Sequence, residues 1–384
     1  MKTIIVCLDA FRYDYLKKAK FLRELSEKYA HGKLETILGF RGIPATFLTG
    51  KMPFEHCVWT NFVFSKNSEL KHYKNFNFFE GTFLENSARN LMNLDFNFNR
   101  LIKKKSFFLK IPNIPFNLMN KFEFVLNKDL GEKNILPFKT LFDFLREKKI
   151  SFEYFDWPLH RVNDSVHFDL LVKNNDRSLF KHYISSIEKN NSHVYYFSFW
   201  GLDKYGHEFG PNSVQLKNKI KEIDYYCEKI FNSLRNEDSF IFWSDHGMTE
   251  VKQTVDITQK ISGLDIDYFL DSTIARFKTK NKLEKEQIKK RLAGNKGHFL
   301  SNAEKKYFGI NFSDSRYGNE FFLLNPGVIL LPNFFQGNES AKGMHGYAPN
   351  SNGSDGIYLS SLKGKRENKK MKDCLKMCLN LIKN

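Results

Sequence analysis

The feature that most constrains this chain is a repeated pattern in which an apolar run stops on an aspartate. It occurs as TIIVCLD (3–9), SFEYFD (151–156), HVYYFSFWGLD (193–203) and SFIFWSDHG (239–247). Continuous runs rich in β-branched and aromatic residues fit strands buried on both faces of a parallel sheet. Helical patterns lie between them, at 138–149, 177–190 and 215–236, and a charged one runs from Tyr15 to Tyr29. Strand and helix in alternation predict an α/β fold with a mostly parallel central sheet flanked by helices. Ligands of such sheets bind at the carboxyl ends of the strands. Aspartates that close separate strands should therefore gather on one edge.

A chain of 384 residues is long for a single core, so one large domain with insertions is expected. Residues 1–60, 136–261 and 341–384 carry the repeated pattern and are assigned to the core. Residues 61–135, rich in Phe, Asn and Lys, and residues 262–340 break it. Both are read as cap insertions over the sheet edge, with DSTIARF (271–277) as a strand of the roof. Hydrophobic residues make up 41%, enough for a sizeable core and against global disorder. The 40 phenylalanines accompany abundant Lys, Asn and Ile, and are attributed to compositional drift rather than to an aromatic binding surface.

The net charge of +17 suits anionic partners. The charge is densest at 102–110 and 363–372, but no finger-type Cys/His spacing or RNP-type aromatic motif accompanies it. A phosphorylated small molecule, or a glycan or lipid phosphate, is favoured over nucleic acid, with peripheral membrane contact left open. The five cysteines are scattered and form no CxxC, which reads as reduced thiols in a cytoplasmic protein. The apolar run Ile4–Leu8 is too short for a signal-peptide core, and no stretch approaches a membrane span.

Three segments carry candidate chemistry. In SDHGM, Asp245 and His246 follow an apolar strand, and Gly247 allows a tight turn. In GLDKYGHEFGP, Asp203 and His207 are four apart, one helical turn, so both can face a common point. KGMHGYAP offers His345 in a glycine-flanked loop, and Asp9 closes the first strand. Taken singly, each has an ordinary structural explanation. Taken together, three acids closing three apolar runs and three histidines beside them supply oxygen and nitrogen ligands of the kind zinc accepts. Two such ions clamp the attacking and leaving oxygens of phosphoryl transfer.

The order Asp9, a helix closing on the Thr49-Gly50 of TGKMP, Asp203-x3-His207, SDHGM and MHGY resembles the alkaline phosphatase superfamily. Within it, the pattern is most similar to the type I phosphodiesterase/nucleotide pyrophosphatase branch. The resemblance implies hydrolysis of phosphodiesters or phosphomonoesters with two divalent metal ions, zinc first and manganese second. Asp203, His207 and His345 would hold one ion, and Asp9, Asp245 and His246 the other. It also implies a nucleophilic Thr or Ser that opens the helix ending at Thr49-Gly50 and forms a phospho-enzyme.

That position departs from the family. ETILGFRGIPATFLTG (35–50) is expected to run from a strand at Thr36–Leu38 into a helix from Ile43 to Leu48, whose free N–H groups could face an anion. The expected nucleophile falls on Phe40, or on Arg41 if the turn is one residue shorter. Thr36 and Thr46 are the remaining substitutes. Three readings follow: hydrolysis without a covalent step, with Arg41 binding phosphoryl oxygens; an inactive relative that binds a phosphorylated ligand or an anionic membrane surface; or a threonine moved into place by an unusual turn.

Overall fold

The computed structural model describes residues 1–102, 109–156, 159–169, 172–364 and 366–383. Most of the basic run 102–110 lies outside the described residues. A nine-stranded sheet forms the centre, in the spatial order Lys369–Lys370, Ala30–Glu35, Gly356–Ser360, Ser239–Trp243, Thr3–Leu8, Val194–Phe199, Phe152–Asp156, Leu159–Val162, Ser165–Phe168. Every strand runs in one direction except Leu159–Val162 and Gly356–Ser360. The fold is α/β with a mostly parallel central sheet flanked by helices.

All six residues of Thr3–Leu8 are buried. Ile4, Val6 and Leu8 point to one face, where they pack with the helices Lys20–Lys28, Asp176–Lys189 and Val214–Asn232. Ile5 and Cys7 point to the other face, against Gly42–Thr49, Leu141–Glu147 and Cys374–Lys383. The unbroken apolar run is thus the consequence of period-2 side chains that meet a helix layer on both sides. The residues that continue Thr3–Leu8, Val194–Phe199 and Ser239–Trp243 emerge together at the carboxyl edge.

Residues 62–124 and 257–334 contribute to a shared third core, rich in Phe62, Phe122, Phe269 and Phe334. It contains the antiparallel strand pair Phe62–Phe64/Phe122–Phe124 and a four-stranded antiparallel sheet, with DSTIARF supplying most of the strand Ile274–Lys278. Asp271 and Arg276 of that segment form a buried ion pair at 2.6 Å, and the Arg276 guanidinium lies 4.4 Å from the Phe269 ring centroid.

Two local expectations need correction. Residues 36–38 are not a strand; the strand is Ala30–Glu35, immediately before them. Asp203 does not end a strand: Val194–Phe199 stops earlier, and Asp203 lies in the first turn of the helix Gly201–Phe209. The switch occurs at Gly201, where a Cβ would lie 1.8 Å from Asp176 Oδ2. Asp176 Oδ1 accepts from the N–H groups of Trp200 and Gly201 at 3.2 and 3.1 Å. A carboxylate from another helix thereby caps this one, which sequence spacing does not reveal.

Candidate metal and phosphoester site

Six side chains converge at the carboxyl edge of the three central strands. Asp203, His207 and His345 form one group and Asp9, Asp245 and His246 another, each with ligand atoms within 4.8 Å of one another. In the first, Asp203 Oδ1 lies 3.2 Å from His207 Nε2 and 3.6 Å from His345 Nε2. In the second, His246 Nε2 lies 3.4 Å from Asp9 Oδ1 and 3.2 Å from Asp245 Oδ2. The His246 and His345 rings stack at 3.7 Å, so the two groups share a wall.

Backbone contacts fix how these side chains point. His207 Nδ1 is 2.8 Å from the Gly343 carbonyl, and His246 Nδ1 is 2.8 Å from the Gly247 carbonyl. A carbonyl only accepts, so each Nδ1 carries a proton and each Nε2 is the nitrogen left to face the interior. This is the arrangement by which outer partners orient metal-binding imidazoles. Asp245 Oδ1 accepts from the N–H groups of Ala10 and His246, at 3.2 and 2.9 Å, leaving Oδ2 for the interior. Ala10 meets this contact with φ of +60°, an uncommon value for a residue with a Cβ.

The electrostatics call for a cation. Burial, then the charges of Asp245 and Asp203, push the Asp9 carboxyl well above its ordinary value. Burial likewise raises Asp245. Burial would also raise Asp203, but His207, His345 and His246 outweigh it and hold this carboxyl low. Burial and the neighbouring His246 hold His345 well below the usual imidazole range. Asp9 Oδ1, Asp203 Oδ1 and His345 Nδ1 are buried without a hydrogen-bond partner among the described residues. Carboxylate oxygens left without a partner in one buried cluster fit divalent ions, since buried charge is otherwise costly.

The turn opposite is differently equipped. The helix is Gly42–Thr49, with Arg41 at its N-cap position and no side-chain cap. The Phe40 and Gly42 N–H groups donate to the Trp59 carbonyl, and Ile43 N–H donates to Phe40 O. The expected anion-facing donors are therefore largely engaged within the protein. Phe40 meets the candidate metal site: its ring stands edge-on to His345 with centroids 5.3 Å apart. The charge of Arg41 acts on Asp156 and Tyr154 at the end of the neighbouring strand.

Neither threonine substitute is free. Thr46 is fully buried, with Oγ1 3.0 Å from His56 Nε2. Thr36 Oγ1 donates to the Asp245 carbonyl at 2.8 Å, so it braces a candidate ligand from behind. The Phe40–His345 contact and the carbonyl props at Gly247 and Gly343 were not legible in the sequence, because no spacing rule encodes them.

Comparisons with known proteins bear on the family and the fold. The family described as type I phosphodiesterase/nucleotide pyrophosphatase matches residues 3–333. Among solved structures, murine ectonucleotide pyrophosphatase/phosphodiesterase 5 superposes with a TM-score of 0.69 at 16% identity, covering 100% of this chain and 95% of that one. An inactive threonine-to-alanine form of the murine protein in complex with AMP gives 0.69 at 17%, and the human protein 0.68 at 18%, with the same coverage. GPI ethanolamine phosphate transferase 2 of Yarrowia lipolytica is 34% identical over 77 residues, 20% of this chain and 9% of that protein. Human GPI ethanolamine phosphate transferase 1 is 34% identical over 100 residues, 24% of this chain and 10% of that protein. The chain thus aligns with about a tenth of each of these two relatives. With the family pattern spanning most of its length, this chain belongs to the type I phosphodiesterase/nucleotide pyrophosphatase family.

Proposed function

We propose that the chain is a metal-dependent phosphoric ester hydrolase that transfers the phosphoryl group directly to water, with no covalent phospho-enzyme. The observation that carries this reading is the pairing of a complete six-residue Asp/His wall with a phenylalanine where the family places a hydroxyl. Asp203, His207 and His345 would hold one divalent ion and Asp9, Asp245 and His246 the other, zinc first and manganese second. When bound, such ions polarise the phosphoryl group and activate water. The chain's own residues do the rest. The Gly343 and Gly247 carbonyls hold two imidazoles with Nε2 free to face the ions, Arg41 binds phosphoryl oxygens, and the Phe40 ring stands edge-on against His345.

The substrate class is a phosphate ester of a small molecule, glycan or lipid. AMP in the murine structure and the ethanolamine phosphate transferases among the partial relatives support that breadth. The setting proposed for the chain is cytoplasmic, on the scattered cysteines of the sequence.

The second reading, an inactive relative that binds a phosphorylated ligand or an anionic membrane surface, is favoured by the Phe40–His345 contact. It is also favoured by exposed apolar residues of the cap, among them Phe83, Leu94 and Phe98. The test is turnover of an aryl phosphodiester by the full chain with added Zn²⁺ or Mn²⁺. Wild type turns over, His246→Ala loses about 10³-fold, equivalent to about 4 kcal/mol, and chelation abolishes the reaction. Arg41→Ala lowers kcat/KM about 10- to 100-fold, the worth of a charge-assisted hydrogen bond. A metal-loaded wild type that binds AMP but never turns over an ester establishes the second reading instead.

A further inference from the structure

The same sheet carries another group of ligand-type residues, outside the site described above. Glu153 lies on Phe152–Asp156 and His160 on the antiparallel strand Leu159–Val162. Phe155 is paired with His160, and Glu153 with Val162, so Glu153 and His160 are diagonal neighbours on one face. The helix Asp176–Lys189 lies on that face and brings His182 and Ser186, one turn apart. One ligand atom from each of Glu153, His160 and His182 falls within 4.8 Å of the others. Glu153 pairs in the sheet with Tyr195, the second residue of Val194–Phe199, toward the ends of the strands away from the Asp/His wall.

The atoms are arranged as a metal would require. His160 Nδ1 is 2.9 Å from Asp169 Oδ2, and its Nε2 is 3.0 Å from Glu153 Oε1. With Nδ1–H donated to Asp169, a neutral His160 turns its Nε2 lone pair toward a carboxylate oxygen, and these two acceptors are then held together either by a second proton on the ring or by a metal ion. Ser186 Oγ donates to that same Glu153 oxygen, fixing the carboxylate. The His160 and His182 rings are 5.1 Å apart and perpendicular. His182 Nε2 is shut off from solvent and has no hydrogen-bond partner among the described residues. A carboxylate holding the far nitrogen of a ligand histidine is the usual outer partner in zinc sites.

We propose that Glu153, His160 and His182 form a further site for a divalent ion of the zinc class, oriented by Asp169 and separate from the phosphoester site. Two nitrogens and one oxygen match the preferences of zinc, and three protein ligands leave a fourth position for water. The ion would tie the margin of the sheet to the helix over it. A metal-induced gain in stability is therefore expected whatever happens at the phosphoester site.

The test uses the full chain, stripped with chelator and dialysed against Zn²⁺, with metal content measured by mass spectrometry and melting followed with and without zinc. His182→Asn and His160→Gln should each hold one zinc fewer than wild type and lose the matching rise in Tm. Asp169→Asn should keep the ion with about 10- to 100-fold weaker affinity. A His246→Ala chain should keep the Glu153 ion, which separates this site from the proposed active site. Melting in chelator shows that each variant is folded, and either histidine variant suffices. Zinc content and zinc-dependent Tm equal to wild type in a folded histidine variant overturn the site and leave a protonated His160 bridging two carboxylates.

Discussion

The wall of Asp9, Asp203, Asp245, His207, His246 and His345 and the turn at 36–42 face each other across one sheet edge. The wall brings together two groups of side chains that could each hold a metal ion, and backbone carbonyls orient two of its imidazoles. The turn presents Phe40 where the resemblance leads one to expect a Thr or Ser. Gly39 has φ of +123°, and a Cβ there would lie 2.5 Å from the Trp59 ring. Trp59 Nε1–H donates to Leu38 O at 2.7 Å, and the Trp59 carbonyl receives the Gly42 N–H at 2.8 Å. Backbone and ligands are thus constrained independently of the one side chain between them. On the proposed reading, direct hydrolysis replaces a covalent step with no change to the fold around it.

The sharpest way to break that comparison is to restore the hydroxyl. Because Phe40 rather than Arg41 meets His345, Phe40→Thr places an oxygen beside the wall. The expected result is a change from no labelled protein to about one phosphoryl group per chain after acid quench, together with burst kinetics. Wild type should give neither. Trapped phospho-enzyme in wild type would mean that another hydroxyl serves and that direct hydrolysis is wrong.

The wall was largely legible in sequence because it is written at strand ends, where burial forces an apolar run and the next polar residue meets the edge. Asp9 and Asp245 follow that rule directly. Asp203 shows its limit, because its run breaks at Gly201 into a helix capped from elsewhere by Asp176. Ala30–Glu35 is hard to read in sequence for another reason. It alternates inward Ala30, Gly32 and Leu34 with outward His31, Lys33 and Glu35, but its inward residues are mostly small. Gly32 has to be small, since a Cβ would lie 1.9 Å from the Glu367 carbonyl. Glu153, His160 and His182 were not legible at all, because a strand pairing and a helix crossing bring them together.

A second measurement probes how rigidly the turn is held from behind. Val58 N–H donates to His56 Nδ1 at 3.2 Å, so Nε2 carries the proton toward Thr46 Oγ1. His56 is therefore neutral, and burial lowers its pKa to about 4, opposed by a backbone hydrogen bond and Glu55. The unfolded chain binds a proton near pH 6.5 that the folded chain refuses until about pH 4, so stability falls as pH drops through that window. The expected loss is about 3 kcal/mol, the free-energy cost of a proton bound near pH 6.5 in the unfolded chain but only near pH 4 in the folded one. Urea denaturation of wild type against His56→Asn across pH 4 to 7 isolates it. An identical pH slope in the variant would show that His56 is not the group responsible.

The smallest expected effect decides whether Thr36 belongs to the turn or to the wall. Its hydroxyl donates to the Asp245 carbonyl at 2.8 Å, and Val has nearly the same shape without the donor. Thr36→Val should cost about 1 kcal/mol of stability, the usual net worth of one buried hydrogen bond. If Thr36 only braces Asp245, kcat for the aryl phosphodiester stays within about threefold of wild type, well under the 1.4 kcal/mol that a tenfold change represents. If Thr36 is the nucleophile, turnover disappears while zinc content is unchanged. That outcome would return the covalent route to a residue just before the turn and make Phe40 a cover over the site rather than a replacement within it.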